Sequence, residues 1–125
     1  MNTYYEDTLY PLQDRVLRKI DELQTPFYLT GGTVLSRCHF HHRYSDDLDF
    51  FVNNDAQFQK FAEDILEGLA DFSVSVTLRS KTYYSLLIDS ILKVDLVNDI
   101  PSHIGGFNSS PLFSKIDTVE NIRHW

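Results

Sequence analysis

Cysteine is nearly missing from this chain. Cys38 stands alone among 125 residues, so no internal disulfide can form, and a single thiol fits a reducing compartment. A long apolar run is also lacking, as is a leader of basic residues followed by an apolar core, which sets the expectation of a soluble, cytoplasmic protein without membrane contact. Positive charge is scarce. Against 18 Asp and Glu there are only 11 Lys and Arg, a formal net charge of -7, which argues against a broad basic surface for nucleic acid. A nucleotide whose phosphates arrive already bound to metal is not excluded by that balance. Repeats, linkers and low-complexity segments are absent, and the length supports one hydrophobic core, so residues 1–125 read as a single domain. Apolar residues at 42% and charged residues at 23% are ordinary for a globular protein.

What is present begins with an amphipathic helix. Leu9, Leu12, Val16, Ile20 and Leu23 recur at helical spacing over Thr8–Glu22, with Pro11 tolerable in the first turn. Thr25-Pro26 ends it, because a proline cannot continue the helix and pushes its predecessor toward extended backbone. Phe27–Thr30 then reads as a buried strand running into Gly31-Gly32, followed by a short helix from Thr33 to about Cys38. A turn without side chains beside unpaired helix N–H groups can cradle phosphate, and Thr33 adds a hydroxyl; a Gly-Gly pair by itself more often marks only a turn.

The following polar connection, Phe40–Ser45, holds His41, His42 and Arg43. Cys38, His39, His41 and His42 form a poor zinc site, since four ligands within five residues cannot easily close a tetrahedron. A solvated loop suits the two histidines better. Arg43 is placed to reach either a phosphate or Asp46.

Asp47-Leu-Asp-Phe-Phe-Val52 alternates as a half-buried strand does. Residues two apart point the same way, so Asp47 and Asp49 share one face while Leu48 and Phe50 share the other. Two neighbouring carboxylates repel each other and ask for a cation, and oxygen ligands suit Mg²⁺ or another hard divalent ion. An EF-hand loop over Asp47–Asp55 is excluded by its missing central glycine and its apolar content. Asn53-Asn54-Asp55 offers helix caps, and Phe58, Phe61, Ile65 and Leu69 follow with helical period.

Three strands come next. Phe72–Arg79 alternates with Phe72, Val74, Val76 and Leu78 on one face and Ser73, Ser75, Thr77 and Arg79 on the other. Tyr83–Ile88 and Ile91–Val97 complete an antiparallel meander with short links at Ser80-Lys81 and Asp89-Ser90. In the last strand Ile91, Lys93, Asp95 and Val97 share a face. Asp95 is then a lone carboxylate in an apolar strand, costly unless paired or holding a metal. Lys93 is the nearest partner, and an edge strand with an ordinary Lys93-Asp95 solvent face is an equal alternative. Beyond Asn98 the pattern weakens to loop, with a short edge strand at Pro111–Phe113 and a last helical turn capped by Asp117-Thr118.

Phe27-Tyr-Leu-Thr-Gly-Gly-Thr, His42-Arg-Tyr-Ser-Asp-Asp-Leu-Asp-Phe-Phe and Leu92-Lys-Val-Asp-Leu-Val together resemble the successive motifs of the AbiEii-like nucleotidyltransferases. These are toxins of bacterial type IV toxin-antitoxin (abortive infection) systems within the DNA polymerase β-like superfamily. The resemblance covers about Tyr10 to Val97. It implies an α/β (α+β) fold, a nucleotidyltransferase-like mixed β-sheet flanked by helices. It further implies that Asp47, Asp49 and Asp95 are catalytic and hold two Mg²⁺ ions, or Mn²⁺, about 4 Å apart. Gly31, Gly32 and Thr33 would hold the triphosphate, with Thr33 where the wider superfamily usually has Ser.

The implied reaction is attack of an acceptor hydroxyl on the α-phosphorus of a nucleoside triphosphate, with Asp95 the candidate general base. The acceptor would be RNA such as tRNA, or protein, and a cognate antitoxin would be the partner. Members generally continue into a helical C-terminal region with further cations, and here nothing follows Trp125, so much of the substrate-binding apparatus is expected to be absent. Arg43, Arg79, Lys81 and Lys93 are the cations left for phosphate, Lys93 first among them. Two alternatives stand beside an active toxin: a truncated or inactive member serving as a nucleotide- or protein-binding module, and an enzyme with a small-molecule acceptor.

Overall fold

A computed structural model describes residues 4–34, 37, 46–99 and 106–118. A π-helical turn, Tyr5–Leu9, leads without a break into helix α1, Tyr10–Glu22. Pro11 falls in the first turn of α1, where its missing N–H costs nothing. The helix stops at Gln24, which takes a left-handed φ of 56°, just ahead of Pro26. Leu12, Val16, Leu17 and Ile20 are buried along one side of α1. Leu23, expected on that stripe, is 37% exposed and instead lies against Gly68, where an added Cβ would come within 2.8 Å of it.

Strand β1 (Tyr28–Thr30) runs into a single helical turn, α2 (Gly31–Thr33), and strand β2 (Leu48–Asn53) follows. Of the expected helix from Thr33 to Cys38, residues 33, 34 and 37 are described and are helical, and the others lie outside the described residues, as do His39, His41, His42 and Arg43. Helix α3 (Phe58–Gly68) buries Phe58, Ala62 and Ile65. Strands β3 (Val74–Arg79), β4 (Tyr83–Ile88) and β5 (Leu92–Asp99) then form the expected meander. The β4–β5 turn is tight because Asp89 and Ser90 both take left-handed φ, 52° and 63°, and the Ile91 N–H donates to the Ile88 carbonyl.

The five strands make one sheet in the order β1-β2-β5-β4-β3. β2 pairs antiparallel with β1 and parallel with β5, so the sheet is mixed. The central place of β5 removes the edge-strand alternative for Lys93 and Asp95. A parallel neighbour on one side and an antiparallel one on the other leave its alternate residues either in the core or on the opposite face.

One face of the sheet carries the core. Leu29, Leu48, Phe50, Val52, Tyr84, Leu86, Ile88, Leu92, Val94 and Leu96 are buried there with α1 and α3, and each such side chain contributes roughly 1.5–3 kcal/mol by leaving water. The opposite face presents Thr30, Asp49, Ser85, Lys93 and Asp95, the in-register neighbours across β1, β2, β5 and β4.

Two expectations need correction. In β3 the pairing passes from Val76↔Leu86 to Leu78↔Ser85, with an irregularity between. The extra residue, Thr77, reverses the faces beyond it. Leu78 therefore leaves the core side and is 49% exposed, while Arg79 turns to the core side, over the Tyr84 ring at 5.6 Å from its centroid and 3.1 Å from Glu63. Second, Pro111–Phe113 is not a strand. Strand-like contact falls instead at Ile116, which bridges Leu29 in parallel and Asn108 in antiparallel fashion. Ile116 closes the free edge of β1, with the Leu29 N–H donating to the Lys115 carbonyl and the Asp117 N–H to the Leu29 carbonyl.

Candidate active site

Gly31 is the hinge of the site. Its φ of 78° is costly for any residue with a side chain, and a Cβ there would lie 2.6 Å from Asp49 Oδ2. The turn thus has glycine for two separate reasons: the left-handed backbone and the carboxylate pressed against it. Thr33 is buried, and its hydroxyl donates a short hydrogen bond to the Asp47 carbonyl. That bond ties the glycine turn to the residue just before β2. Gln13 of α1 donates to the Asp46 carbonyl at 3.4 Å, and the Tyr5 hydroxyl bonds the Asp46 carboxylate, which pushes the phenol up to about 12. The acidic segment is therefore held from the turn on one side and from the N-terminal helix on the other.

Asp49 and Asp95 are direct register partners across the parallel β2–β5 pair, so their side chains leave the sheet on the same face. Burial raises the Asp49 carboxyl to about 6, and the Asp95 and Asp47 charges push it the same way. Asp47 is also raised, by burial first, with Lys93 opposing and Asp95 and Asp46 adding to the rise. Burial is the main cause of both shifts, and the neighbouring acids, only partly opposed by Lys93, add to it.

Lys93 supplies part of that counter-charge. Its Nζ lies 3.5 Å from Asp95 Oδ2 and lowers the carboxyls of Asp47 and Asp49. Sequence reasoning overlooked two further donors on β4. Ser85 Oγ donates to Asp95 Oδ1 at 2.8 Å, and the Tyr83 hydroxyl donates to Asp95 Oδ2 at 2.8 Å. Ser85 sits directly opposite Asp95 in the β4–β5 ladder, and Tyr83 is raised to about 12 by burial and by this carboxylate. A polar residue inside the apolar run of β4, counted across the tight turn to Asp95, was the available signal.

The sequence-predicted residues are thus brought together in the main. Gly31, Gly32, Thr33, Asp47, Asp49, Lys93 and Asp95 lie around one patch of the open sheet face. Arg79 does not join them, because it is committed to Glu63 and Tyr84. Lys81 stands exposed in the β3–β4 turn. Among the described residues no three Asp, Glu, His or Cys side chains are drawn close enough to form a ready metal cluster. The donor chemistry nevertheless fits a hard divalent cation: carboxylate oxygens on one face, with Asp49 raised by burial first and by its acidic neighbours second.

Comparison with known families decides the kinship. Residues 15–96, more than half of the chain, match the family described as nucleotidyl transferase AbiEii toxin, type IV TA system. The chain belongs to this AbiEii family. All three carboxylates and the glycine turn lie inside the matched residues. A comparison with curated proteins finds no match. Among solved structures the chain is similar to JHP933 from Helicobacter pylori, at 15% identity and a TM-score of 0.65, covering 93% of this chain and 55% of that one. It is also similar to a candidate nucleotidyltransferase from H. pylori, at 16% identity and a TM-score of 0.62, covering 93% and 56%. At such identity the likeness concerns the fold, and this AbiEii chain spans about half the length of either structure. No helix among its described residues is long and apolar enough to cross a membrane.

Proposed function

We propose that this chain is the catalytic core of a metal-dependent nucleotidyltransferase, the toxin of a type IV toxin-antitoxin pair. Such a toxin would move a nucleotide from a nucleoside triphosphate to an acceptor hydroxyl on RNA, tRNA included, or on protein. The observation that carries the reading is the Asp49–Asp95 register pair pressed against the Gly31 turn on the open face. Carboxylates for metal and a side-chain-free turn for phosphate are the two parts that phosphoryl-group chemistry needs at one place.

Asp47, Asp49 and Asp95 would hold the divalent ions, Mg²⁺ or Mn²⁺. Bound there, such ions supply charge neutralisation on the phosphates and a lowered pKa of the attacking hydroxyl. The chain's own residues do the rest. The Gly31-Gly32 backbone accommodates the triphosphate without steric conflict, and Thr33, through its bond to the Asp47 carbonyl, keeps turn and acid in register. Lys93 balances Asp95 while the site is empty of substrate and then has its ammonium available for a phosphate oxygen. Asp95 receives three donors, from Ser85, Tyr83 and Lys93, against about four lone-pair sites on a carboxylate. One remains for a metal or for the acceptor's proton, in keeping with a general-base role.

The partner implied by the family is a cognate antitoxin, and the compartment a reducing cytoplasm. Incubation of the protein with Mg²⁺ and labelled nucleoside triphosphates should label RNA or protein, and Asp47→Ala should abolish that labelling. Equal labelling by the Asp47→Ala protein, or none by wild type with any acceptor, would overturn the reading.

A further inference from the structure

Asp117 is fully buried, yet it stands 87 residues from the group it holds. Thr30 Oγ1, also fully buried, donates to Asp117 Oδ2 at 2.8 Å, and the Thr118 N–H donates to Asp117 Oδ1 at 3.0 Å. The Asp117 N–H in turn donates to the Leu29 carbonyl at 2.8 Å. A carboxylate is costly to bury unless hydrogen-bonded, and the Thr30 hydroxyl is one of the donors that meet it.

Thr30 occupies an unusual place. It is the extended residue immediately before Gly31, with φ of -143° and ψ of -172°, and its side chain makes no cap hydrogen bond to the turn that follows. A threonine in that position ordinarily turns its oxygen onto the N–H groups two or three residues ahead. Here the hydroxyl is drawn the other way, to Asp117. The backbone N–H groups of the glycine turn are left without that internal acceptor, and the residue leading into the left-handed Gly31 is fixed from a distant part of the chain. Thr30 is also the register partner of Asp49, so the same bond steadies the β1 side of the carboxylate patch.

We infer that Asp117 is a positioning residue for nucleotide binding: by holding the Thr30 hydroxyl from the far end of the chain, it fixes the residue that leads into Gly31 and so sets the Gly31-Gly32 backbone that meets phosphate. The inference rests on the proposed nucleotidyltransferase reading for its ligand, though not for its geometry. It concerns a residue outside the family-matched segment, 15–96.

The test uses the full chain as wild type, Asp117→Asn, Thr30→Ala and Thr30→Ser. Amide NMR signals of Gly31 and Gly32 report the turn, and calorimetry with Mg²⁺-tripolyphosphate reports the phosphate site independently of any base or acceptor. Asp117→Asn and Thr30→Ala should each shift the Gly31 and Gly32 amides and raise their mobility, leave the β4 amides in place, and weaken tripolyphosphate about tenfold, as loss of one charge-assisted hydrogen bond would. Thr30→Ser keeps the hydroxyl and should behave as wild type. In the transfer assay the two disruptive variants should raise KM with little change in kcat. Gly31 and Gly32 amides that stay in place in both would overturn the inference, as would a loss of melting temperature with tripolyphosphate affinity intact. Should Asp117→Asn fail to fold, Thr30→Ala against Thr30→Ser decides alone. Wild type that takes up no tripolyphosphate while the amides respond would count against the nucleotidyltransferase reading and against phosphate as the purpose of the latch.

Discussion

Replacing Asp49 by Asn should make the metal-free protein more stable. The carboxyl of Asp49 is held near 6 rather than at its ordinary 3.8 by burial and by the charges of Asp95 and Asp47. That difference corresponds to roughly 3 kcal/mol of cost for keeping the group ionised in the folded state, an upper figure because the site is partly hydrated. The sign follows from proton binding. Between about pH 4 and pH 6 the folded form keeps a proton that the unfolded chain has released, so stability falls as pH rises through that window and levels off above it. Asn preserves the shape beside Gly31 and removes the charge, so the share of the slope due to Asp49 should disappear while that of Asp47 stays, with a gain at pH 7 of up to a few kcal/mol, or several degrees in Tm for a domain of this size. The assay is thermal or urea unfolding in the presence of a chelator across this pH range, repeated with Mg²⁺. Wild type should gain stability on adding Mg²⁺ and the Asn variant should not. A variant less stable than wild type at pH 7, or one with the wild-type slope, would refute the view that Asp49 is ionised at a cost set by burial and its acidic neighbours.

Other perturbations give equally plain outcomes. Gly31→Ala forces a Cβ to within 2.6 Å of Asp49 Oδ2 at a φ of 78°; it should cost about 1–2 kcal/mol in denaturant titration from backbone alone and abolish metal-nucleotide binding in calorimetry. Ser85→Ala leaves a buried carboxylate oxygen of Asp95 without its 2.8 Å donor, and should destabilise by about 1–3 kcal/mol in urea unfolding while lowering transfer activity. Lys93→Met removes the ammonium that opposes the rise at Asp47 and Asp49, so the pH window of instability described above should widen upward, as read by the same unfolding series. Phe50→Ala empties a fully buried position that meets Phe113 at 5.3 Å between ring centroids, and should cost about 3–5 kcal/mol by denaturant titration.

Much of this site could be read from residues close together in the chain. The alternation of Leu48–Asn53 and of Leu92–Val97 put Asp49 and Asp95 on the faces opposite their apolar neighbours before any pairing was known, and the burial of Leu48, Phe50, Leu92, Val94 and Leu96 agrees. Periodicity says which way a side chain points within its own strand; it does not say which strand lies alongside. The parallel β2–β5 pair, which makes Asp49 and Asp95 neighbours, is a long-range contact of that kind. The face reversal at Thr77 escaped for a related reason, since a strict two-residue period cannot register one inserted residue. Asp117 was legible only as a helix cap, because its partner, Thr30, lies at the opposite end of the chain.

The central claim is that the carboxylate patch and the glycine turn together transfer a nucleotide. It is tested most directly by offering the protein Mg²⁺ with nucleoside triphosphate labelled either at the α- or at the γ-phosphorus. The account predicts that α-label becomes attached to the acceptor, that γ-label leaves as pyrophosphate, and that Asp49→Asn does neither. Transfer of γ-label, or α-label transfer that survives Asp49→Asn, would contradict it.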